Sequence, residues 1–304
     1  MKCAQAHISW RFIRLAFVVH NCLLSRESNF LTRGGIIQGR IMGFIGGTAG
    51  YRLLKRIAPN AGGGKFGDEP SPSARLTHAF GRNILDEFSG RTVADFGCGS
   101  GSVAVSIARQ VPDARVVGID IQQRHLDKAR RRAAAAGVGA RCSFMTRLRE
   151  PVDVILSFDA FEHFADPGGV LQTMYEHLRP GGAGLAAFGP TWLHPRGGHL
   201  FSIFPWAHLL FTEAALIRWR ADFKSDGASR FGEVEGGLNR MRIERFERLI
   251  ENSPLKLDWL RLIPIRGIEL LKCRPFREFG TALVTCRLSR AVGMESELGK
   301  KRAA

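Results

Sequence analysis

Residues 93–101 read VADFGCGSG, and SVAVSIARQ follows at 102–110. Residues 91–96 make a short apolar strand candidate, and 102–110 suit a helix. The glycines at 97, 99 and 101 fill the turn between the two. Lacking side chains, they let the backbone approach a ligand closely, and the N–H groups of the next helix face it. A second strand candidate, RVVGI at 115–119, runs into Asp120. That carboxylate stands about 20 residues beyond the glycines, where it can accept hydrogen bonds from a ribose diol. It is also placed to cap the helix that follows.

Outward from this turn, strands and helices alternate. Ser71 followed by Pro72 marks a helix start. Leu76, Phe80, Ile84 and Phe88 then repeat at helical spacing, which predicts one helix as far as Gly90. An Ala- and Arg-rich helix is expected from about residue 122 to Gly137, where the glycine stops it. A third strand falls at 140–145, a fourth at 152–158 and a fifth at 183–188, with a helix over 167–178 before the fifth. After residue 239 come a helix at 240–251 and two final strands at 255–263 and 279–287. Continuous apolar runs suit strands buried on both faces. Strict alternation implies a doubly wound, mostly parallel α/β sheet, here of seven strands.

The glycine turn and Asp120 alone do not choose a ligand, since GSGSVA at 99–104 also fits a loose dinucleotide pattern. Asp95 discriminates. A carboxylate inside the strand, two residues before Gly97, repels a pyrophosphate and suits a cationic group.

The order of motifs then becomes specific. DFGCGSG at 95–101, GID at 118–120, DVILSFDAFEHFADP at 153–167 and LRPGG at 178–182 resemble the successive motifs of class I S-adenosylmethionine (SAM)-dependent methyltransferases. The small-molecule, ubiquinone-biosynthesis type is the most similar in look. The resemblance covers 75–190, weakens over 190–290 and is absent over 1–60. It implies a Rossmann-like fold with SAM as cofactor. Gly97, Cys98, Gly99 and Gly101 would cradle the amino-acid part of SAM and Asp95 would face its ammonium. Asp120 would hold the ribose and Ile121 would lie against the adenine, with Ser157 on the fourth strand completing the set. One departure stands out. The family usually carries an acid at the end of strand three and then a longer loop. Here MTRLREP at 145–151 leads almost directly into strand four, and Glu150 is the only carboxylate between Asp127 and Asp153.

Ligands in such sheets bind beyond the carboxyl ends of the strands, which brings Asp159, Glu162 and His163 to the reaction zone. His163 is the candidate general base, since histidine titrates near neutral pH; the Glu-His pair also suits a helix start. The same three residues, joined by His194 or His199, form a mixed oxygen and nitrogen set of the kind that holds a divalent metal. Residues 189–239 interrupt the alternation with Trp192, Trp206, Trp219, Phe201, Phe204, Phe211 and Phe223. They are expected to be an aromatic lid over a small-molecule or lipid-like acceptor, or to fill a core of their own.

The net charge of +16 is uneven: residues 1–65 hold ten Lys or Arg against Glu27. A basic, partly apolar leader over 1–60 is expected to be poorly ordered or to touch an anionic membrane surface. A Gly- and Pro-rich linker at 61–73 precedes the methyltransferase domain at 74–290, and a polar tail follows at 291–304. Neither apolar run in the leader reaches the roughly 18–20 residues of a membrane span. The six cysteines form no C-x-x-C pair, which suits a reducing cytoplasm. Two readings compete with methyl transfer: a non-catalytic protein of the same fold that binds a partner or membrane through its leader, and an NAD(P)-linked dehydrogenase. Asp95 and the want of a Tyr-Lys pair disfavour the dehydrogenase. The modest charge of the folded part disfavours a nucleic-acid substrate.

Overall fold

The computed structural model describes residues 43–59, 70–234, 236–274 and 276–291. Seven strands form one sheet: β1 (Thr92–Phe96), β2 (Arg115–Ile119), β3 (Cys142–Met145), β4 (Val152–Phe158), β5 (Leu178–Phe188), β6 (Lys256–Pro264) and β7 (Thr281–Ser289). Their order is β3-β2-β1-β4-β5-β7-β6. β1 to β5 pair in parallel, and β7 runs antiparallel to β5 and β6. Each expected strand is present, and the expected sheet is the one observed.

Successive residues of a strand point to opposite faces, so each central strand feeds two cores. Val93, Val154 and Leu156 pack with α2 (Pro72–Phe80), α3 (Ser102–Gln110) and α4 (Gln123–Ala135). Ala94, Phe96 and Ile155 pack with α5 (Pro167–His177) and α8 (Ile243–Glu251). The parallel strands are thus covered on both sides, as their unbroken apolar sequences require.

Two elements differ from expectation. The helix predicted up to Gly90 ends at Phe80, because Gly81 takes φ +107, and resumes as a 3-10 turn at Ile84–Phe88. Ser71 does start it, accepting a hydrogen bond from the Ala74 N–H. LRPGG at 178–182 is the irregular start of β5 rather than a turn before it, with a register shift against β4 between Val152 and Val154.

The insertion carries α6 (Ala207–Leu210) and α7 (Glu213–Arg220) and has its own core. Trp192, Phe201, Trp206, Phe211, Trp219 and Phe231 are all buried in it. Most of the aromatic content that suggested a lid surface is therefore structural.

Part of that core comes from the stretch expected to be leader. Residues Gly47–Ile57 form α1, and Leu54 is fully buried among the insertion's aromatics. The Phe44 and Ile45 N–H groups donate to the Leu210 carbonyl (3.0 Å each), and Thr212 N–H donates to the Ile45 carbonyl (2.9 Å). Trp219 Nε1 donates to the Ala58 carbonyl (2.8 Å). The rest of the leader, residues 60–69 of the linker, and the tail from 292 lie outside the described residues. Among the described residues, no helix is long and apolar enough to cross a membrane. Leu54→Ala is expected to cost about 2–5 kcal/mol, the range for a cavity in a packed core. A lowered denaturation midpoint would show it.

Candidate functional site

The glycine turn adopts the conformation that its sequence anticipates. Gly97, Gly99 and Gly101 have φ of +78, +51 and +74, values that L-residues with side chains rarely adopt. Gly97 N–H and Cys98 N–H both donate to the Ile119 carbonyl, which ties the turn to the end of β2. A side chain at Gly97 would meet Ala160 and the Phe164 ring, whereas beside Gly99 there is open space. The turn therefore has a protein-facing end and a ligand-facing end.

Beneath it Asp95 is 2% exposed. Burial pushes its carboxyl up to about 7, with the Asp120 charge adding to the rise and a bond from the Ala104 N–H opposing it. Its Oδ2 has no hydrogen-bond partner among the described residues. A buried carboxylate oxygen left unsatisfied is costly, and a cation arriving above the turn relieves it.

Asp120 serves both roles that its position allowed. Its Oδ2 accepts from Gly99 N–H (3.0 Å) and its Oδ1 from Gln122 N–H (2.8 Å), so it ties the turn to the start of α4. A carboxylate offers about four acceptor sites, so two remain for a diol. Ile121 is 89% exposed beside it. Cys98 is buried and its thiol is held well above its ordinary range by burial; only its backbone is available to a ligand. Ser157 is fully buried on β4, and its Oγ also has no partner among the described residues.

The clipped connection after β3 is real. It spans 146–151, Glu150 is exposed, and Leu148 packs against the second core.

At the end of β4 the expected trio separates. Asp159 pairs with Arg75 of α2, whose guanidinium lies over the Phe158 ring at 5.0 Å. Glu162 and His163 instead face the insertion. Glu162 is 4% exposed, and burial pushes its carboxyl up to about 7. Its Oε1 accepts from Gly189 N–H (3.2 Å), and its Oε2 has no partner among the described residues. His163 Nδ1 bonds the Gly237 carbonyl at 2.7 Å. A carbonyl only accepts, so Nδ1 carries the proton and Nε2 keeps its lone pair. His199 stands edge-on to His163 with ring centroids 5.1 Å apart. Glu162, His163 and His199 form a cluster that could hold a metal. Neither Asp159 nor His194 belongs to that cluster; His194 Nδ1 accepts from Arg196 N–H.

Asn239 was not among the expected residues. Its Nδ2 donates to the Phe161 and Phe164 carbonyls (2.6 and 2.8 Å), and its own N–H donates to the Glu162 carbonyl. It clamps the loop that carries Glu162 and His163. An asparagine 75 or more positions downstream leaves no local signal of this.

Comparison with known proteins agrees with this geometry. The family model described as "Methyltransferase domain" matches residues 93–182. The ubiquinone biosynthesis O-methyltransferase of Caulobacter vibrioides is 36% identical over 101 residues, which is 31% of this chain and 39% of that protein. The tRNA 5-carboxymethoxyuridine methyltransferase of Escherichia coli K12 is 36% identical over 98 residues, 30% of this chain and 37% of its own. The release factor glutamine methyltransferase of Chlorobaculum tepidum is 30% identical over 177 residues, 51% of this chain and 55% of its own. The chain thus spans between about a third and three-fifths of the length of these relatives. Their three acceptors differ, while the shared stretch is the one around the glycine turn. Residues 93–182 are a methyltransferase domain of the class I, SAM-dependent kind.

Proposed function

We propose that the chain transfers the methyl group of SAM to an oxygen or carbon of a small-molecule or lipid-like acceptor. The observation that carries this reading is Asp95: a buried carboxylate, half satisfied, under a glycine turn that is open at Gly99. A dinucleotide pyrophosphate would be repelled there, and a ligand ammonium would be drawn in.

SAM, when bound, supplies an electrophilic methyl group on a sulfonium. The chain's part is to position and to handle a proton. The backbone of Gly97, Cys98, Gly99 and Gly101 lines one end of the cofactor, with Asp95 below. Asp120 and Ile121 take the nucleoside end, and Ser157 offers a further polar contact. With no acid at the end of β3, the adenine is left to Ile121 and to backbone groups. His163, with its Nε2 lone pair set by Gly237, removes the proton from an acceptor hydroxyl. The insertion, which meets the β4 loop through Gly237 and Asn239, covers the acceptor.

Calorimetric titration with SAM and S-adenosylhomocysteine tests the cofactor. Methyl-label transfer to fractionated lysate, with the product identified by mass spectrometry, tests the reaction. His163→Gln is expected to lower turnover by about a hundredfold or more, the scale of general-base catalysis. S-adenosylhomocysteine affinity should not move. Binding of neither ligand by the wild type would overturn the reading.

A further inference from the structure

The insertion brings His199 to the Glu162–His163 pair, 36 positions away in sequence. One carboxylate oxygen of Glu162 and one ring nitrogen of each histidine lie within 4.8 Å of one another. Two buried atoms in the group, Glu162 Oε2 and His199 Nε2, have no hydrogen-bond partner among the described residues. They could satisfy each other through a Glu–His hydrogen bond, yet that bond is not made. Leaving both unsatisfied in a sealed place is unfavourable. A divalent cation satisfies both at once.

The surroundings fit that use. The Gly237 carbonyl fixes the proton of His163 on Nδ1, the outer contact that ligating histidines usually make. The cavity beside the cluster, of about 210 Å³, is lined by His163, His199, Leu238, Arg220 and Lys224. It has room for further oxygen ligands, from water or from an acceptor. Arg220 is paired with Asp226, so its charge is compensated, and the cationic rim suits an acceptor that brings an anionic oxygen.

We propose that Glu162, His163 and His199 form a divalent-cation site that ties the insertion to the loop after β4. Two imidazoles and one carboxylate suit Zn²⁺, Mn²⁺, Fe²⁺ or Co²⁺ better than Mg²⁺. Bonds of about 2.0–2.2 Å require the donor atoms to draw together by roughly an ångström, within reach of side-chain rotation. Asp159, paired with Arg75, takes no part. Ligation and proton removal are alternative uses of the His163 Nε2 lone pair, and the base role above belongs to the metal-free chain. The proposal goes beyond the methyl-transfer reading and stands without it.

The test is Co²⁺ titration of the full chain, followed by visible absorption. One Co²⁺ per chain is expected, with ligand-field bands and no sulfur-to-cobalt charge-transfer band. His199→Ala and Glu162→Gln should each weaken binding at least tenfold. S-adenosylhomocysteine titration of the same samples verifies that each variant is folded, and separates failure of this site from failure of the cofactor reading. Absence of a stoichiometric site, a charge-transfer band that marks cysteine ligation, or affinity unchanged in both variants would overturn the proposal.

Discussion

Asp95→Asn is expected to weaken SAM binding by about tenfold to a hundredfold and to flatten the dependence of stability on pH. The first effect follows from losing a charge-assisted contact to the ligand ammonium, about 1.5–3 kcal/mol for a hydrogen bond to a charged group. The second follows from the raised carboxyl. Its folded value, about 7, lies above its ordinary 3.8 because burial penalises the charged form. The folded state therefore holds the proton more tightly than the unfolded state. The stability this contributes is complete below about pH 4 and is lost as pH rises through about 7. Each unit is about 1.4 kcal/mol, so the wild type should lose a few kcal/mol relative to the asparagine variant between pH 5 and pH 8. The ligand reverses the balance, since it favours the ionised form. Wild-type affinity for SAM should therefore fall as pH drops below about 7, while the variant's affinity stays level. Denaturant titrations and calorimetry at three pH values measure both effects. Parallel pH profiles for the two proteins would show that Asp95 does not ionise as described.

The second large effect is expected at Gly101, and it is best read against Gly99. Both have positive φ, so a side chain at either costs about 1–2 kcal/mol of backbone strain. They differ in what a Cβ would meet. At Gly101 it would come within 2.7 Å of the Ala129 Cβ and 2.9 Å of the Phe144 ring; at Gly99 nothing lies within 4 Å. Overpacking adds about 1–3 kcal/mol, so Gly101→Ala should cost about 2–5 kcal/mol and Gly99→Ala only the strain. For cofactor binding the order is different in kind. Gly99→Ala places a methyl group where a ligand would lie, and should lose affinity while remaining folded. Chemical denaturation gives the first comparison and S-adenosylhomocysteine titration the second. Equal destabilisation by the two substitutions would contradict the packing described at Gly101.

How far the sequence could be read depended on how local each cause is. The strands around VADFGCGSG were legible because both their faces are apolar and glycine marks their ends. Asp95 was legible because a charge inside such a strand has few structural uses. The break at Gly81 was missed because Leu76, Phe80, Ile84 and Phe88 keep helical spacing across it, and spacing does not report one residue's φ. The fate of Asp159 was not legible either. Its partner Arg75 sits on a helix before the sheet begins, and only the fold brings the two together. His199 was one of two histidines considered with the Glu-His pair, and nothing in the chain order favours it over His194. Asn239 and Glu278 act in the same hidden way. The latter accepts from the Ile243 and Glu244 N–H groups at the start of α8, capping a helix that precedes it by more than thirty residues. Helix α1 was taken for leader because its buried face is narrow, with Gly50 and Leu54 its only buried residues. The chain before it meets the insertion through close backbone approach at Gly43 and Gly46, which leaves no apolar stripe to read.

That last contact bears on how the molecule is made. Trp219 and Ala58, which bond across the insertion's core, are 161 positions apart. During synthesis α1 emerges early and must wait for most of the sheet before its partner exists. Closing so long a loop is slow, so the insertion is expected to be the last part to fold and the first to open. Whatever engages the basic residues ahead of α1 during that wait would act on the roof of the site before the site itself is complete.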